Sequence, residues 1–306
     1  MKIFLTGGTG FLGPHIVKLL SLDQHQVCSP SSSGVNLLNK DETCRMVKSF
    51  KPDVILHAAA ICAGILGNKN SPADFLHKNL DMGSNIFHAA KESGCTRVYT
   101  LGSVCSYPSH SPTPFQENNI WNGYPESTNA PYGIAKRVLM LLGQTYREQY
   151  GFTGAHLIPV NLYGPGDHFK NEAKSHVIPA LIKKFDDAIL NSSPEVECWG
   201  TGKISREFLY VEDAAQAISK AVLTGFDSDL PINLGSGTNI TIKKLACLIS
   251  SLTGYSGDIV FNGQVSDGQQ ERLLDVSRAK DLLGWTASTS FRSGLIKTIE
   301  WYRMNK

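Results

Sequence analysis

The chain opens MKIFLTGGTGFLG, and the three glycines set between an apolar strand and an apolar helix constrain its fold more than any other stretch. Residues 2–5 form a short, mostly apolar run, after which Phe11, Leu12, Ile16, Val17, Leu19 and Leu20 recur at helical spacing. Gly7, Gly10 and Gly13 fall around the turn, where the absence of side chains lets backbone approach a diphosphate whose charge rests on the helix N-terminus. Glycine clusters also make ordinary tight turns, so the loop alone is a weak sign. Its position directly after a strand makes nucleotide binding the better reading, with Gly7, Gly8, Thr9, Gly10, Phe11, Leu12 and Gly13 as the contact set.

The rhythm that follows supports this. Short apolar runs at 26–29, 53–58, 96–101 and 154–160 alternate with helical patterns at 12–21, 40–50, 73–93 and 129–150. Such alternation means parallel strands joined by crossover helices, with ligands held at the carboxyl ends of the strands. The fold expected is α/β: a Rossmann doubly wound parallel sheet with a smaller C-terminal substrate-binding lobe. The dinucleotide-binding domain is expected over 1–162 and the lobe over 163–306, with about 208–236 returning to the main sheet. The small-residue stretch Ala58-Ala59-Ala60 should lie beside the glycine loop.

Composition narrows the partners. A net charge of +2 over 306 residues leaves no basic stripe of the kind that binds nucleic acid, so a small-molecule substrate is expected. The seven cysteines are scattered, odd in number and never spaced as CxxC, which suggests neither a disulfide framework nor a metal site. A reduced, cytoplasmic setting fits best. No apolar run reaches membrane-spanning length and no signal-like segment opens the chain, so a soluble protein with no membrane partner is expected.

Tyr132 and Lys136 are four residues apart, which on a helix places both on one face. A phenol titrating near ~10 is a poor acid–base group at neutral pH, and a nearby ammonium lowers that value by stabilising the phenolate. The tyrosine could then pass a proton to or from a carbonyl oxygen while hydride moves to or from a nicotinamide. Taken alone, a tyrosine and lysine at this spacing are more often a surface aromatic beside a solvated lysine. Ser103 changes the balance, because it follows a strand expected to end beside the glycine loop and could hydrogen-bond the same oxygen.

TGGTGFLG, LGSVCSYP and the Tyr132/Lys136 pair together resemble the extended short-chain dehydrogenase/reductases that act on nucleotide-linked sugars. NAPYGIAKR, IPVNLYGPGDHF, SHVIPAL and WGTGKISREFLYVEDAA resemble in particular the GDP-L-fucose synthases within them, over nearly the whole chain. The resemblance implies an NADPH-dependent enzyme, usually a homodimer, that performs two epimerisations and one reduction on a GDP-4-keto-6-deoxy-sugar. It makes Ser103, Tyr132 and Lys136 the reductive set, and Cys105 and His176 the acid–base pair for epimerisation. A thiolate on one face would take the proton next to the ketone and an imidazolium on the other would return one, inverting the centre. Without the resemblance, Cys105 reads as a small buried hydrophobe and His176 as a satisfied core histidine. Ala58, Asn161 and Leu162 join Tyr132 and Lys136 in the expected cofactor set, and Lys184, Trp199 and Arg206 are expected on the nucleotide-sugar. A guanidinium suits a diphosphate, whereas Trp199 could equally be packing.

Two stretches depart from the resemblance. The end of the second strand, Cys28-Ser29-Pro30-Ser31-Ser32-Ser33, offers neither the acid that would hold a free ribose nor a base for an added phosphate. The late stretch from Val265 to Asp275 carries Glu271 where these proteins usually have a basic residue, with Arg272 keeping one positive charge. If Glu271 faces the diphosphate, like charges repel and the substrate differs. Two alternatives therefore stand: a related nucleotide-sugar epimerase or 4-ketoreductase acting on another 4-keto-hexose or heptose, and a nucleotide-binding regulator without catalysis, against which Ser103, Tyr132 and Lys136 speak.

Overall fold

A computed structural model describes residues 1–22, 24–62, 70–169, 175–263 and 268–306. Val265, Ser266 and Asp267 of the late stretch lie outside the described residues. Six parallel strands form the main sheet: β1 (Lys2–Thr6), β2 (Gln26–Cys28), β3 (Val54–His57), β4 (Val98–Leu101), β5 (His156–Pro159) and β9 (Ile232–Leu234), in the order β2-β1-β3-β4-β5-β9. From β1 the chain steps one way to β2 and afterwards the other way to β3, so the sheet reverses its winding between β1 and β3. That crevice is where doubly wound sheets take their ligands.

Strand alternation divides the core between two faces. Ile3, Leu5, Val54, Leu56, Tyr99 and Leu101 pack on one side, under α1 (Gly13–Leu20) and α6 (Val211–Thr224). Phe4, Ile55 and Val98 pack on the other with Val47, Ile86, Phe87 and Leu139, from α2 (Lys40–Phe50), α3 (Pro72–Ser93) and α4 (Ala130–Tyr150). Several helices begin and end on legible signals. Asn39 caps α2 by accepting from the Glu42 N–H at 3.0 Å, and Gly94, Gly151 and Gly225 close α3, α4 and α6 in left-handed conformations that suit glycine.

The smaller lobe has its own core, in which Leu181, Ile182 and Phe185 of α5 (Val177–Leu190) meet Leu245 and Ile249 of α7 (Ile242–Thr253) and Leu295 and Ile299 of α9 (Phe291–Asn305). Its sheets are short. β8 (Ser205–Tyr210) pairs with β6 (Asn161–Tyr163), β10 (Asn239–Thr241) and β12 (Glu271–Arg272), while β7 (Glu195–Cys198) pairs with β11 (Asp258–Phe261). The return of 208–236 to the main sheet therefore needs correction in part: β9 joins β5 there and α6 packs on α1, but β8 stays in the second sheet. The physical reason is that β6 follows β5 after a single residue, Val160, and leads the chain out of the main sheet, so β8 finds its partner in β6. Helix α8 (Ser277–Leu283) lies against β9. No described helix is long and apolar enough to cross a membrane.

Candidate active site

The glycine loop lies against the start of the next crevice strand's exit. A Cβ on Gly7 would come within 2.7 Å of the Ala59 nitrogen, and Gly7 takes a φ of +78°; a Cβ on Gly13 would come within 2.2 Å of the Gly7 carbonyl oxygen. Backbone stands where side chains would otherwise fill the crevice. Thr6 ties the two strand ends together, its hydroxyl accepting from the Ala59 N–H at 3.1 Å and sharing a 2.8 Å hydrogen bond with His57. At the end of β2 the Ser29 hydroxyl packs against Gly8, buried and without a partner among the described residues, and Ser31 and Ser33 share a 2.8 Å hydrogen bond nearby. An orphaned hydroxyl, neighbouring hydroxyls and the lack of a carboxylate fit a dinucleotide whose adenosine ribose carries a phosphate.

Ser103 follows β4 and caps a short 3-10 turn, Val104–Ser106, by accepting from the Cys105 N–H at 3.2 Å. Helix α4 is seated directly on that turn: a Cβ on Gly133 would lie 2.2 Å from the Cys105 carbonyl oxygen. Arg137, one helical turn on, is buried and fastens the same segment through the Ser106 carbonyl at 2.6 Å and the Gly123 carbonyl at 2.8 Å. The structure thus brings Ser103, Cys105, Tyr132 and Lys136 together at the carboxyl end of β4.

The expected lowering of the Tyr132 hydroxyl is corrected. Burial holds it well above its ordinary value, and negative charge on Cys62 or Cys105 would raise it further. Lys136 is buried too, donates to the Leu101 carbonyl at 2.9 Å, stands 5.7 Å from the Tyr132 ring centroid, and is pushed down to about 8 by desolvation. At neutral pH Tyr132 is a phenol, and its burial makes the phenolate harder to form. Beneath them His57 and His156 are buried and pushed down to about 3 by desolvation, with Lys136 adding to the effect.

Cys62 was not foreseen from the sequence. Although the residue as a whole is exposed, its sulfur shares a hydrogen bond with the buried Tyr132 hydroxyl, and desolvation there pushes the thiol up to about 11. Its place just beyond Ala58-Ala59-Ala60 was the available signal. Asp167, in the Gly164-Pro165-Gly166-Asp167 turn, is also new: one carboxylate oxygen is buried without a partner among the described residues, and burial raises the group to about 6.

His176 precedes α5 at its N-cap position without capping through its side chain, and burial, helped by His168, lowers its pKa. The resting imidazole is thereby favoured in its neutral form. In the lobe, Lys184 donates to the Glu197 carbonyl at 3.1 Å and stands 4.9 Å over the half-exposed Trp199 ring. Arg206 sits on β8, donates to the Ser205 carbonyl at 2.7 Å and pairs in register with Arg272. Asn161 donates to the Glu207 carbonyl at 2.9 Å, so its amide joins β6 to β8, and Leu162 packs against the main core. Glu271 accepts from Asn239 at 2.5 Å and Thr113 at 2.9 Å, which fastens β12 to its surroundings.

A doubly wound sheet with this glycine loop, and a serine, tyrosine and lysine at its crevice, defines the class of dinucleotide-dependent oxidoreductases built on the Rossmann fold. Residues 3–235 match the model of the NAD dependent epimerase/dehydratase family, and the chain belongs to that family. It is 36% identical to the GDP-L-fucose synthase of Escherichia coli (strain K12) over 316 aligned residues, covering 100% of this chain and 97% of that protein. Among solved structures it is similar to a GDP-6-OMe-4-keto-L-xylo-heptose reductase from C. jejuni, with a TM-score of 0.91 and 26% identity over 100% of this chain and 98% of that one. A GDP-L-fucose synthetase from Naegleria fowleri bound to NADP aligns with a TM-score of 0.88 and 27% identity, over 99% of this chain and 94% of that one.

Proposed function

We propose that the chain is a bifunctional 3,5-epimerase and 4-reductase that converts GDP-4-keto-6-deoxy-D-mannose to GDP-L-fucose with NADPH. The observation that carries this reading is the convergence of Ser103, Cys105, Tyr132 and Lys136 at the carboxyl end of β4, in the sheet whose β1 runs into the glycine loop. The full-length likeness to the Escherichia coli GDP-L-fucose synthase supports the substrate, and the NADP-bound Naegleria structure supports the cofactor. When bound, that cofactor supplies a hydride to the ketone carbon. The residues do the rest. Ser103 and Tyr132 hold the carbonyl oxygen at C4, which acidifies the C–H bonds at C3 and C5. Cys105 takes each proton, the electron pair passes to the oxygen, and His176, once protonated, returns a proton to the opposite face. Tyr132 finally protonates the C4 oxygen, and the Lys136 ammonium, one helical turn away, stabilises the negative charge left on the tyrosine. Gly7 to Gly13, Ala58, Asn161 and Leu162 line the cofactor, while Lys184, Trp199 and Arg206 receive the GDP.

A second reading, 4-keto-heptose reduction, rests on the fold likeness to the C. jejuni enzyme. The position of Glu271 weighs against a change of substrate on its account, since its carboxylate is spent on Asn239 and Thr113. The assembly proposed is a homodimer, to which α3 and α4, with Leu141 and Tyr150 of α4 exposed, would contribute. The compartment proposed is the cytoplasm, where cysteines stay reduced. Supplying GDP-4-keto-6-deoxy-D-mannose or a GDP-4-keto-heptose and following NADPH consumption separates the readings. Faster turnover of the deoxyhexose, with GDP-L-fucose as product, is expected; preference for the heptose would overturn the first reading.

A further inference from the structure

Arg272 is a buried guanidinium, 7% exposed, that makes no salt bridge among the described residues. A buried charge costs several kcal/mol unless it is compensated, and Glu126 reaches this guanidinium only electrostatically, with no direct ion pair among the described residues, so its direct contacts identify what it is there for. There are two. Its Nε donates to the Gln269 side-chain oxygen at 3.1 Å, and Gln269 in turn donates to the Ser109 carbonyl at 3.0 Å, so the arginine is held from behind. Its Nη1 donates to the Cys105 sulfur at 3.7 Å. A neutral amide cannot balance a charge. Among the described residues that hydrogen-bond the guanidinium, Cys105 is the one that can become an anion.

The fold makes the contact possible through a strand of two residues. In β12 side chains alternate, so Glu271 turns to Asn239 and Thr113 while Arg272 turns to the cleft. Pairing with β8 fixes that register, Glu271 opposite Ser205 and Arg272 opposite Arg206. The glutamate that departs from the familiar pattern is thus the clamp that sets the face on which Arg272 falls.

We propose that Arg272 is a positioning residue that holds the Cys105 sulfur as a thiolate and aims it into the cleft. The inference rests on the reading of Cys105 as the base of epimerisation. In that step the thiolate takes a proton from carbon, an S–H bond replaces the C–H bond, and the electron pair moves to the carbonyl oxygen. The thiol must lose that proton again before the second centre is inverted, and a fixed cation 3.7 Å away favours that loss at each cycle. Of the other groups near Cys105, a charge on Cys62 would repel its thiolate and Tyr132 is a phenol. Lys136, from α4, is turned to the Leu101 carbonyl, and Glu126, before α4, competes for the charge of Arg272.

The test is the rate at which iodoacetamide alkylates Cys105, followed by mass spectrometry of its peptide across a pH series in wild type, Arg272→Gln and Arg272→Lys. Arg272→Gln is expected to slow labelling of Cys105 roughly tenfold or more at neutral pH and to move its profile to higher pH. Arg272→Lys should recover most of the rate. Labelling of exposed Cys247 should not change, and buried Cys95 and Cys198 should stay unlabelled, which certifies the fold of each variant. Should Arg272→Gln fail that check, Gln269→Ala, which removes the support behind the guanidinium, gives the same comparison. An unchanged Cys105 profile in a folded variant overturns the proposal, and if the KM for the GDP-sugar rises at the same time, Arg272 serves the diphosphate instead. Wild type that exchanges no substrate hydrogen with solvent would refute the epimerase reading itself, a result independent of the labelling rates.

Discussion

Gly133→Ala tests the seating of α4 on the catalytic turn. The added Cβ would lie 2.2 Å from the Cys105 carbonyl oxygen, and ordinary contact begins at 3.4 Å, so helix and turn must separate by about 1 Å. Overpacking of this kind costs about 1–3 kcal/mol, and replacing glycine by alanine within a helix returns about 1 kcal/mol. The net loss of stability is therefore at most about 2 kcal/mol, small enough to leave the protein folded. Activity should suffer far more. Tyr132 and Cys105 stand on the two sides of the contact, and a misplacement of about 1 Å between reacting groups costs on the order of 100-fold in rate. Gly143→Ala on the same helix is the control, because its Cβ would meet only the Phe87 ring at 3.6 Å. It should leave kcat unchanged and raise the urea midpoint slightly. Steady-state kinetics and urea unfolding of both variants decide the matter: full activity in Gly133→Ala refutes the claim that the α4 contact sets the site.

Tyr132→Phe removes the proton donor and should slow reduction by roughly 100-fold or more while NADPH still binds, measured by turnover and by fluorescence titration. Cys105→Ser should abolish hydrogen exchange between substrate and solvent before it abolishes reduction, leaving a 4-reduced, unepimerised sugar; full exchange would make the cysteine packing only. Arg206→Ala should raise the KM for the GDP-sugar by about 10-fold or more with kcat little changed, and an unaltered KM would place the side chain off the diphosphate. His57 and His156 are held neutral down to about 3, whereas in the unfolded chain they take up protons near 6.5. Between those values the unfolded state binds more protons, so each histidine withdraws stability as pH falls through that window, by about 1.4 kcal/mol per pH unit. His156→Gln should flatten the acid slope of urea-unfolding stability, and an unchanged slope would contradict the burial argument.

Much of the fold could be read from the chain because its signals are local. The glycine loop, the alternation of apolar runs and helical patterns, and α5 at Val177–Leu190 all announce themselves through periodicity or turn chemistry. The second sheet does not. β12 has two residues, too few for any pattern, and its importance comes from pairing with a strand over sixty positions away in sequence. The fates of Glu271 and Arg272 depended on that register alone. The state of Tyr132 was hidden for a related reason: spacing placed Lys136 on the same helix face, but only the packed structure shows the ammonium engaged with the Leu101 carbonyl and the phenol desolvated. Cys62 needed the crevice itself, since nothing in its neighbourhood of the sequence pairs it with Tyr132.

The most direct test of the central claim is incubation with GDP-4-keto-6-deoxy-D-mannose and NADPH in deuterated water, with the product and the positions of its label determined by NMR. The account predicts GDP-L-fucose carrying deuterium at both C3 and C5. A 4-reduced sugar without label at those carbons, or no turnover, would contradict it.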